Sequence, residues 1–322
     1  MHFEFFAEPD PSLELCTKVA ALEPTNPFYM PNYIEFKRAL GFQPWVFALR
    51  QDGRIVSGCT SFAKSGRLNR SLEITSLPIL PDSNKFWEGL LQFCREARIS
   101  QLEINSFASS STTIPRLPGE IRRRVRCEYV LELEKPGLWD RLSSNHMRNN
   151  KNARKAGLRV RRAVDHEACQ QHIGLIRESM LRRRNRGESV PEDFETLNLL
   201  AMIQSEAGQL FQAVLDGKVL SSVLILMAQK GGYYHSAGTS SEGMACGASH
   251  FLVHEIGNTL QAEGKQVFNL GGVDQDNPGL EQFKAGFGAS PVRLESAELF
   301  LGSKVRNKLG TITRLLTVGR KD

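Results

Sequence analysis

Hydrophobic and polar positions alternate in short runs, take up a helical period, and alternate again, and the chain does this twice. Phe47-Ala-Leu-Arg-Gln-Asp52-Gly53-Arg-Ile-Val-Ser57 and Phe211-Gln-Ala-Val-Leu-Asp216-Gly217-Lys-Val-Leu-Ser221 share one pattern: phenylalanine, four residues, Asp-Gly, a base, two aliphatics and serine. They lie 164 residues apart. Asp-Gly between apolar runs predicts a hairpin, because a tight two-residue turn needs central residues that tolerate positive φ. Each hairpin is followed by a further strand (Ser71–Leu77, Gly232–Ala237), an amphipathic helix (Phe86–Arg98, Phe251–Gly264) and a last strand (Gln101–Asn105, Gln266–Leu270). A hairpin feeding a strand, a helix and another strand predicts an α/β (α+β mixed-sheet) fold with helices packed on the sheet. The repeat predicts two domains of this kind. The break expected between them is at Lys135-Pro136-Gly137, after a strand at Glu128–Leu133, which gives domains 1–136 and 137–322. Pro291–Leu301 reads as one more strand.

Composition narrows the class. With 322 residues and 41% hydrophobic content, the chain can build large cores and is not expected to be disordered. Its best apolar run, Val223–Ala228, falls far short of the roughly 20 residues a spanning helix needs. The N-terminus carries acids within its apolar run and has no basic leader, so no secretory signal is expected. Cys16, Cys59, Cys94, Cys127, Cys169 and Cys246 are scattered, with no CxxC pair and no zinc-ligand spacing. Reduced thiols in a cytoplasmic protein, without a bound metal, are the expectation.

The 41 basic residues exceed the 35 acidic ones only slightly, but they are unevenly placed. From Arg141 to Val164 there is no acid. On a helix starting near Asn145, Arg148, Lys151 and Lys155 fall near one face, with Arg154 beside them. Further clusters are Arg122-Arg123-Arg124-Val-Arg126 and Arg182-Arg183-Arg184-Asn-Arg186, and the tail adds Lys304, Arg306, Lys308, Arg314, Arg320 and Lys321. Such runs are either solvated faces or contacts for an anionic partner. The basic tail would suit the anionic inner face of a membrane as a peripheral contact.

The most informative segment is Phe268-Asn-Leu-Gly271-Gly272-Val-Asp274-Gln-Asp276-Asn-Pro278-Gly279-Leu-Glu-Gln-Phe283-Lys284-Ala-Gly-Phe287-Gly288. A strand ends in two glycines, which admit a turn or the close approach of a ligand. Phe283 and Phe287, four apart, would anchor a short helix and hold the stem of Lys284 between them. Here the sequence resembles the Fem family of aminoacyltransferases. The resemblance extends through Pro31-Asn-Tyr-Ile-Glu-Phe-Lys37, the Asp52-Gly53 hairpin and Arg154-Lys155-Ala156-Gly157. It implies two tandem GNAT-like domains and transfer of an amino acid from aminoacyl-tRNA, with no further cofactor, to an amine of a nucleotide- or lipid-linked peptidoglycan or exopolysaccharide precursor. By the same resemblance Lys284 is the lysine near the reacting ester, Lys37 an acceptor-phosphate contact, Arg182 a basic acceptor contact and Tyr234 a pocket tyrosine. Phe194 stands where the family often has a tyrosine. Phe283, Gly271 and Gly272 complete the expected substrate pocket, and Arg148, Lys151, Arg154 and Lys155 the expected nucleic-acid surface.

Aminolysis of an ester needs a neutral amine, a stabilised oxyanion and a proton for the leaving alkoxide. Lys284 suits charge stabilisation. Asp274 is the candidate to orient the amine or take its proton, although acids in a Pro-Gly loop also serve as turn formers. Two alternatives stand beside this one. An acyl-CoA-dependent N-acyltransferase acting on an amino sugar or small amine would use the glycines of Ser241-Glu-Gly243-Met-Ala-Cys-Gly247-Ala-Ser249 to meet pyrophosphate, against which Glu242 argues. A non-catalytic binding protein of polysaccharide assembly would need the basic surface and not Lys284. His250 and His254 lack the zinc-protease order and are expected to pack or face solvent. Cys246 is expected to be structural.

Overall fold

The computed structural model describes residues 2–66, 69–109, 113–187, 196–273 and 277–302. In chain order the elements are β1 (Phe3–Pro9), α1 (Leu13–Leu22), a short 3-10 turn (Pro27–Tyr29), α2 (Pro31–Ala39), β2 (Gln43–Gln51), β3 (Arg54–Ser65), β4 (Arg70–Ile74), α3 (Ser83–Glu96), β5 (Gln101–Asn105) and β6 (Glu120–Glu132). There follow α4 (Ser144–Lys155), β7 (Arg159–Ala163), α5 (His166–Asn185), α6 (Thr196–Gln204), β8 (Gly208–Leu215), β9 (Lys218–Met227), β10 (Gly231–Thr239), α7 (Ser241–Cys246), α8 (Ala248–Ala262), β11 (Val267–Val273), α9 (Pro278–Ala285) and β12 (Ser290–Phe300).

The internal repeat is present down to its irregularities. Asp52 and Gly53 take φ of 52° and 77°, and Asp216 and Gly217 take 48° and 81°, so both hairpins turn as Asp-Gly requires. Phe47 pairs with Cys59, and Phe211 with Val223, at the same offset. Each hairpin carries a bulge at the same place, between Leu49 and Arg50 in β2 and between Ala213 and Val214 in β8. The third strands, β4 and β10, run antiparallel to the hairpin and parallel to the last strands, β5 and β11. Helices α3 and α8 make the parallel crossovers.

Two compact units result. The first holds Met1–Leu22, Gly41–Val125 and, among the described residues, 294–302, with strand order β1-β2-β3-β4-β5-β12. The second holds Glu23–Leu40 and Arg126–Arg293, with strand order β6-β11-β10-β9-β8-β7. A single cut at 136 does not describe this division. The strand expected to end the first half, β6, pairs antiparallel with β11 of the second unit, Leu131 opposite Phe268. The late strand β12 pairs with β5 of the first unit, Ala297 opposite Ile104. Segment 23–40 also belongs to the second unit: its Phe28 ring meets Tyr233 of β10 at 5.2 Å between centroids. These pairings are settled by long-range register, which local hydrophobic pattern does not encode.

The core of the second unit lies between the sheet and α8, where Phe211, Ile225, Phe251, Ile256, Phe268 and Phe287 are buried together. On the opposite sheet face α5 buries Ala168, Cys169, Ile173, Leu175 and Ile176 together with one histidine. His172, fully buried, bonds Ser222 Oγ at 2.9 Å and Ser236 Oγ at 3.0 Å.

Candidate active site

In the second unit the parallel strands β10 and β11 pair only from Gly231–Val267 to Tyr233–Asn269. Beyond that point β10 stays with β9 and β11 with β6, so the two part at their C-terminal ends. Gly271 bends the backbone there with φ of 74°, and a Cβ on it would stand 2.8 Å from the Tyr234 carbonyl oxygen. The side chain of Lys284 reaches into this opening from α9. Its Nζ donates to the Gly272 carbonyl oxygen at 2.7 Å and lies 5.9 Å from the centre of the Tyr234 ring. Lys284 is only 4% exposed. Burial pushes the Tyr234 phenol up, so it is a neutral hydroxyl. The first unit differs. Its β4 and β5 pair through Ile74–Ile104, and Phe107 N–H still donates to Thr75 O at 3.2 Å beyond that. Ile74, opposite Ser61, takes the place that Tyr234 has opposite Ile225.

A buried polar network fixes the glycine turn. Glu128 of β6, 1% exposed, accepts from the Tyr233 hydroxyl at 2.6 Å and the Asn269 amide at 2.7 Å, and pairs with Arg126 at 3.4 Å. Asn269 Oδ1 in turn accepts from the Gly271 N–H at 2.8 Å. The Arg126 guanidinium lies directly over Gly272, where any Cβ would strike it. Burial, and then the Glu128 charge, raise the Tyr233 phenol well above its ordinary range. The carbonyl that receives Lys284 is thus set by Glu128 acting through Asn269.

A second set of contacts fixes α9. Ser143, the N-cap of α4, donates its own N–H to Gly286 O at 2.8 Å. His146 Nε2–H donates to Phe283 O at 2.8 Å, while its Nδ1 is 2.9 Å from Ser143 Oγ. The His146 and His250 rings pack against Phe283 and Phe287, with centroid separations of 4.5 to 6.5 Å. Burial lowers both histidines, His250 to about 4 with the His146 charge adding to the shift, so both are neutral packing rings at pH 7.

The candidate site is thus an opened parallel strand pair with the buried Lys284 side chain across it. Residues 141–285 match the family described as an acetyltransferase (GNAT) domain. Over that stretch, under half of the chain, the sequence is similar to that domain, and the strand opening lies within it. The whole chain is similar in fold to FemX, at 14% identity over 95% of this chain and 99% of that one, with a TM-score of 0.68. It is similar also to a tandem GNAT protein from the clavulanic acid biosynthesis pathway (13% identity, 94% and 100% coverage, TM-score 0.55). A third similar structure is the C-terminal domain of a putative lysylphosphatidylglycerol synthetase from Agrobacterium fabrum (16%, 94% and 96%, 0.54). At these identities the likeness concerns the fold, which is that of two tandem GNAT-like domains. No curated protein matches the chain in sequence.

The GNAT domain brings together Lys284, Tyr234, Gly271 and Gly272, and Phe283 packs behind them through His146. Asp274, like Asp276, Phe194 and the basic tail, lies outside the described residues. Lys37 on α2 is 8% exposed, with Nζ 5.9 Å from the centre of the Tyr33 ring. Arg182 is half-buried on α5. It binds Glu178 at 2.7 Å, Ser179 Oγ at 3.0 Å and the Thr239 carbonyl, clamping α5 to the end of β10. Arg154 is taken by Glu255, whereas Lys151 and Lys155 are exposed and Arg148, also exposed, bonds Asn145 at 2.7 Å. The Arg122–Arg126 cluster supplies structural pairs, Arg123 with Glu120 and Glu295, Arg124 with Glu298 and Arg126 with Glu128.

The glycine loop before α8 is a helix. Its Gly243 N–H goes to Ser240 Oγ at 3.0 Å, and the Ser241 N–H goes to Glu178 at 2.8 Å. Cys246 Sγ lies 3.5 Å from Gly243 O. His254 packs edge-on to Trp139 at 5.4 Å. Among the described residues no cluster could hold a metal ion, and no helix is long and apolar enough to cross a membrane. A cavity of about 640 Å3 near the start of β8, lined by Asn32, Gln209, Met227 and Lys265 among others, contains none of the residues at the strand opening. Sequence reasoning missed Glu128, Arg126 and His146. Glu128 and Glu132 flank the short apolar run Tyr129–Leu131, and nothing in that local pattern singles out Glu128.

Proposed function

We propose that this acyltransferase forms an amide from an aminoacyl ester, with aminoacyl-tRNA as donor and an amine of a cell-envelope precursor, peptidoglycan or polysaccharide, as acceptor. The observation that carries the proposal is the Lys284 ammonium held in the opening between β10 and β11. The amine nitrogen attacks the ester carbonyl, a C–N bond forms, and the oxyanion develops beside Lys284. The C–O bond to the ribose then breaks and the amine proton ends on the departing oxygen. A fixed donor at a developing oxyanion is worth about 2.7–4 kcal/mol in comparable sites.

The choice of donor is supported by α7. A coenzyme pyrophosphate needs free N–H groups at such a helix start. Here Ser241 N–H is bonded to the Glu178 carboxylate and Glu242 pairs with Lys218, so negative charge already stands where phosphate would sit. The exposed Arg148, Lys151 and Lys155 on α4 suit a polyanionic donor. FemX and the lysylphosphatidylglycerol synthetase domain share the fold and are consistent with the same class of donor. The acyl-CoA alternative is decided by titrating the protein with charged tRNA, uncharged tRNA and acetyl-CoA at two salt concentrations. Salt-sensitive binding of tRNA, tighter when charged, is expected. Saturable acetyl-CoA binding with only weak tRNA binding would overturn the choice of donor.

A further inference from the structure

The reaction needs a group to take the proton of the attacking amine, and the bulge of β10 presents one. Tyr234 pairs with Ile225 and Ser236 with the next residue, Leu224, so His235 has no partner in the ladder. The bulge also exchanges the faces of the strand. Before it, a Cβ on Gly232 would meet Leu260 of α8; after it, a Cβ on Gly238 would meet Leu175 of α5. Both positions are even-numbered and in a regular strand would share one face. His235 sits at the crossover, between Tyr234, whose ring is over Lys284, and Ser236, which bonds His172 of α5. The residue reaches solvent although protein atoms crowd its ring, and among the described residues no hydrogen bond engages either ring nitrogen. Every other histidine described above in this unit is held in a packed or bonded position. Bulges of this kind re-aim a side chain beside active sites.

We infer that His235 is the proton acceptor for the amine in this GNAT domain, receiving the N–H proton as the C–N bond forms and returning it to the leaving oxygen. The inference rests on the amide-forming reaction proposed above. The balance closes without a co-reactant: ester and amine give amide and alcohol, with one proton carried from nitrogen to oxygen by the imidazole.

The surroundings keep the imidazole in its accepting form. The protein packed around it lowers its pKa to about 4, and the Lys37 charge on α2 adds to the shift. Neighbouring His172 on α5 is itself held neutral, lowered to about 3. Tyr234 is a neutral phenol. So weak a base cannot deprotonate a free alkylammonium ion effectively. It can take the proton from the nitrogen of the tetrahedral adduct, which bond formation to carbon has made far more acidic.

The test uses two acceptors that do not depend on knowing the natural one: glycinamide, an ordinary amine, and hydroxylamine, whose adduct loses its proton to water readily. The donor is a mixed pool of radiolabelled aminoacyl-tRNA, run in parallel with radiolabelled acetyl-CoA. His235→Gln is expected to slow transfer to glycinamide by about 100-fold or more and transfer to hydroxylamine by less than about five-fold, with an unchanged melting temperature. Added imidazole is expected to restore part of the glycinamide rate in His235→Ala. Equal slowing with both acceptors, or slowing with neither, would overturn the assignment of His235 while leaving the amide-forming reaction standing. Absence of transfer by the wild-type protein from either donor to either acceptor would overturn both.

Discussion

Lys284 Nζ and the Gly272 carbonyl oxygen are 2.7 Å apart, and this bond helps to hold a buried side chain across the opening of a parallel strand pair. Burying an amino group contributes little to stability, because desolvation offsets what its polar contacts gain. Lys284→Met is therefore expected to leave the urea midpoint unchanged or raise it. Equilibrium unfolding checks this. A loss of several kcal/mol would mean that Lys284 serves the fold.

Glu128 is expected to behave oppositely. Glu128→Leu leaves the Tyr233 hydroxyl, the Asn269 amide and Arg126 without their buried acceptor. Removing one partner of such a set costs about 3–5 kcal/mol. Asn269→Ala removes two bonds and should cost about 1–3 kcal/mol. Both changes should also lower turnover, because the Gly271–Gly272 turn loses its support. Paired denaturation and rate measurements would show the two losses together.

The two adjacent glycines should differ in tolerance. Gly271→Ala forces a side chain into left-handed backbone, at about 1–2 kcal/mol, and drives a Cβ against the backbone oxygen of Tyr234. Gly272→Ala meets the end of a side chain, Arg126, which can shift where backbone cannot, at the cost of its pair with Glu128. Thermal unfolding is expected to rank Gly271→Ala as the more damaging. The reverse order would contradict the geometry of the turn.

Charge reversal on α4 separates paired from exposed bases. Lys151→Glu and Lys155→Glu should weaken tRNA binding and flatten its salt dependence, since each phosphate contact contributes roughly 0.7–0.9 to the slope. Arg154→Ala should change the slope less, because Arg154 is already paired with Glu255. Binding isotherms at several salt concentrations decide it.

Acid should destabilise the second unit in a defined window. His172 and His250 are lowered to about 3 and about 4, and His146 is lowered as well, all chiefly by burial. Below the ordinary histidine value of about 6.5 the unfolded chain binds more protons than the folded one, so stability falls as pH falls. The loss continues down to the folded values, near 3 to 4, at up to about 1.4 kcal/mol per pH unit for each group. His172→Gln should reduce the slope of unfolding free energy against pH between 6 and 4, and an unaltered slope would exclude His172 as a contributor.

Much of the fold was legible because its signals are local. Asp52-Gly53 and Asp216-Gly217 specify their hairpins, and Phe283 with Phe287 announces a short helix that carries Lys284. The exchange of β6 and β12 between the units was not legible, since the partner of a strand depends on residues more than a hundred positions away. The partners of the charge clusters were hidden for a related reason: the carboxylates and carbonyl that Arg182 and Arg123 bind are not marked by the local pattern. His235 carries no sequence signature, because only the register of β9 against β10 shows that it occupies a bulge.

The central claim is that Lys284 stabilises the transition state of acyl transfer without being needed to bind the donor. The direct measurement is single-turnover transfer from aminoacyl-tRNA to hydroxylamine by the wild-type protein and Lys284→Met, with donor affinity determined on the same preparations. The account predicts equal affinity and a rate lowered by about 100- to 1,000-fold. An unchanged rate, or a rate lost only in proportion to binding, would contradict it.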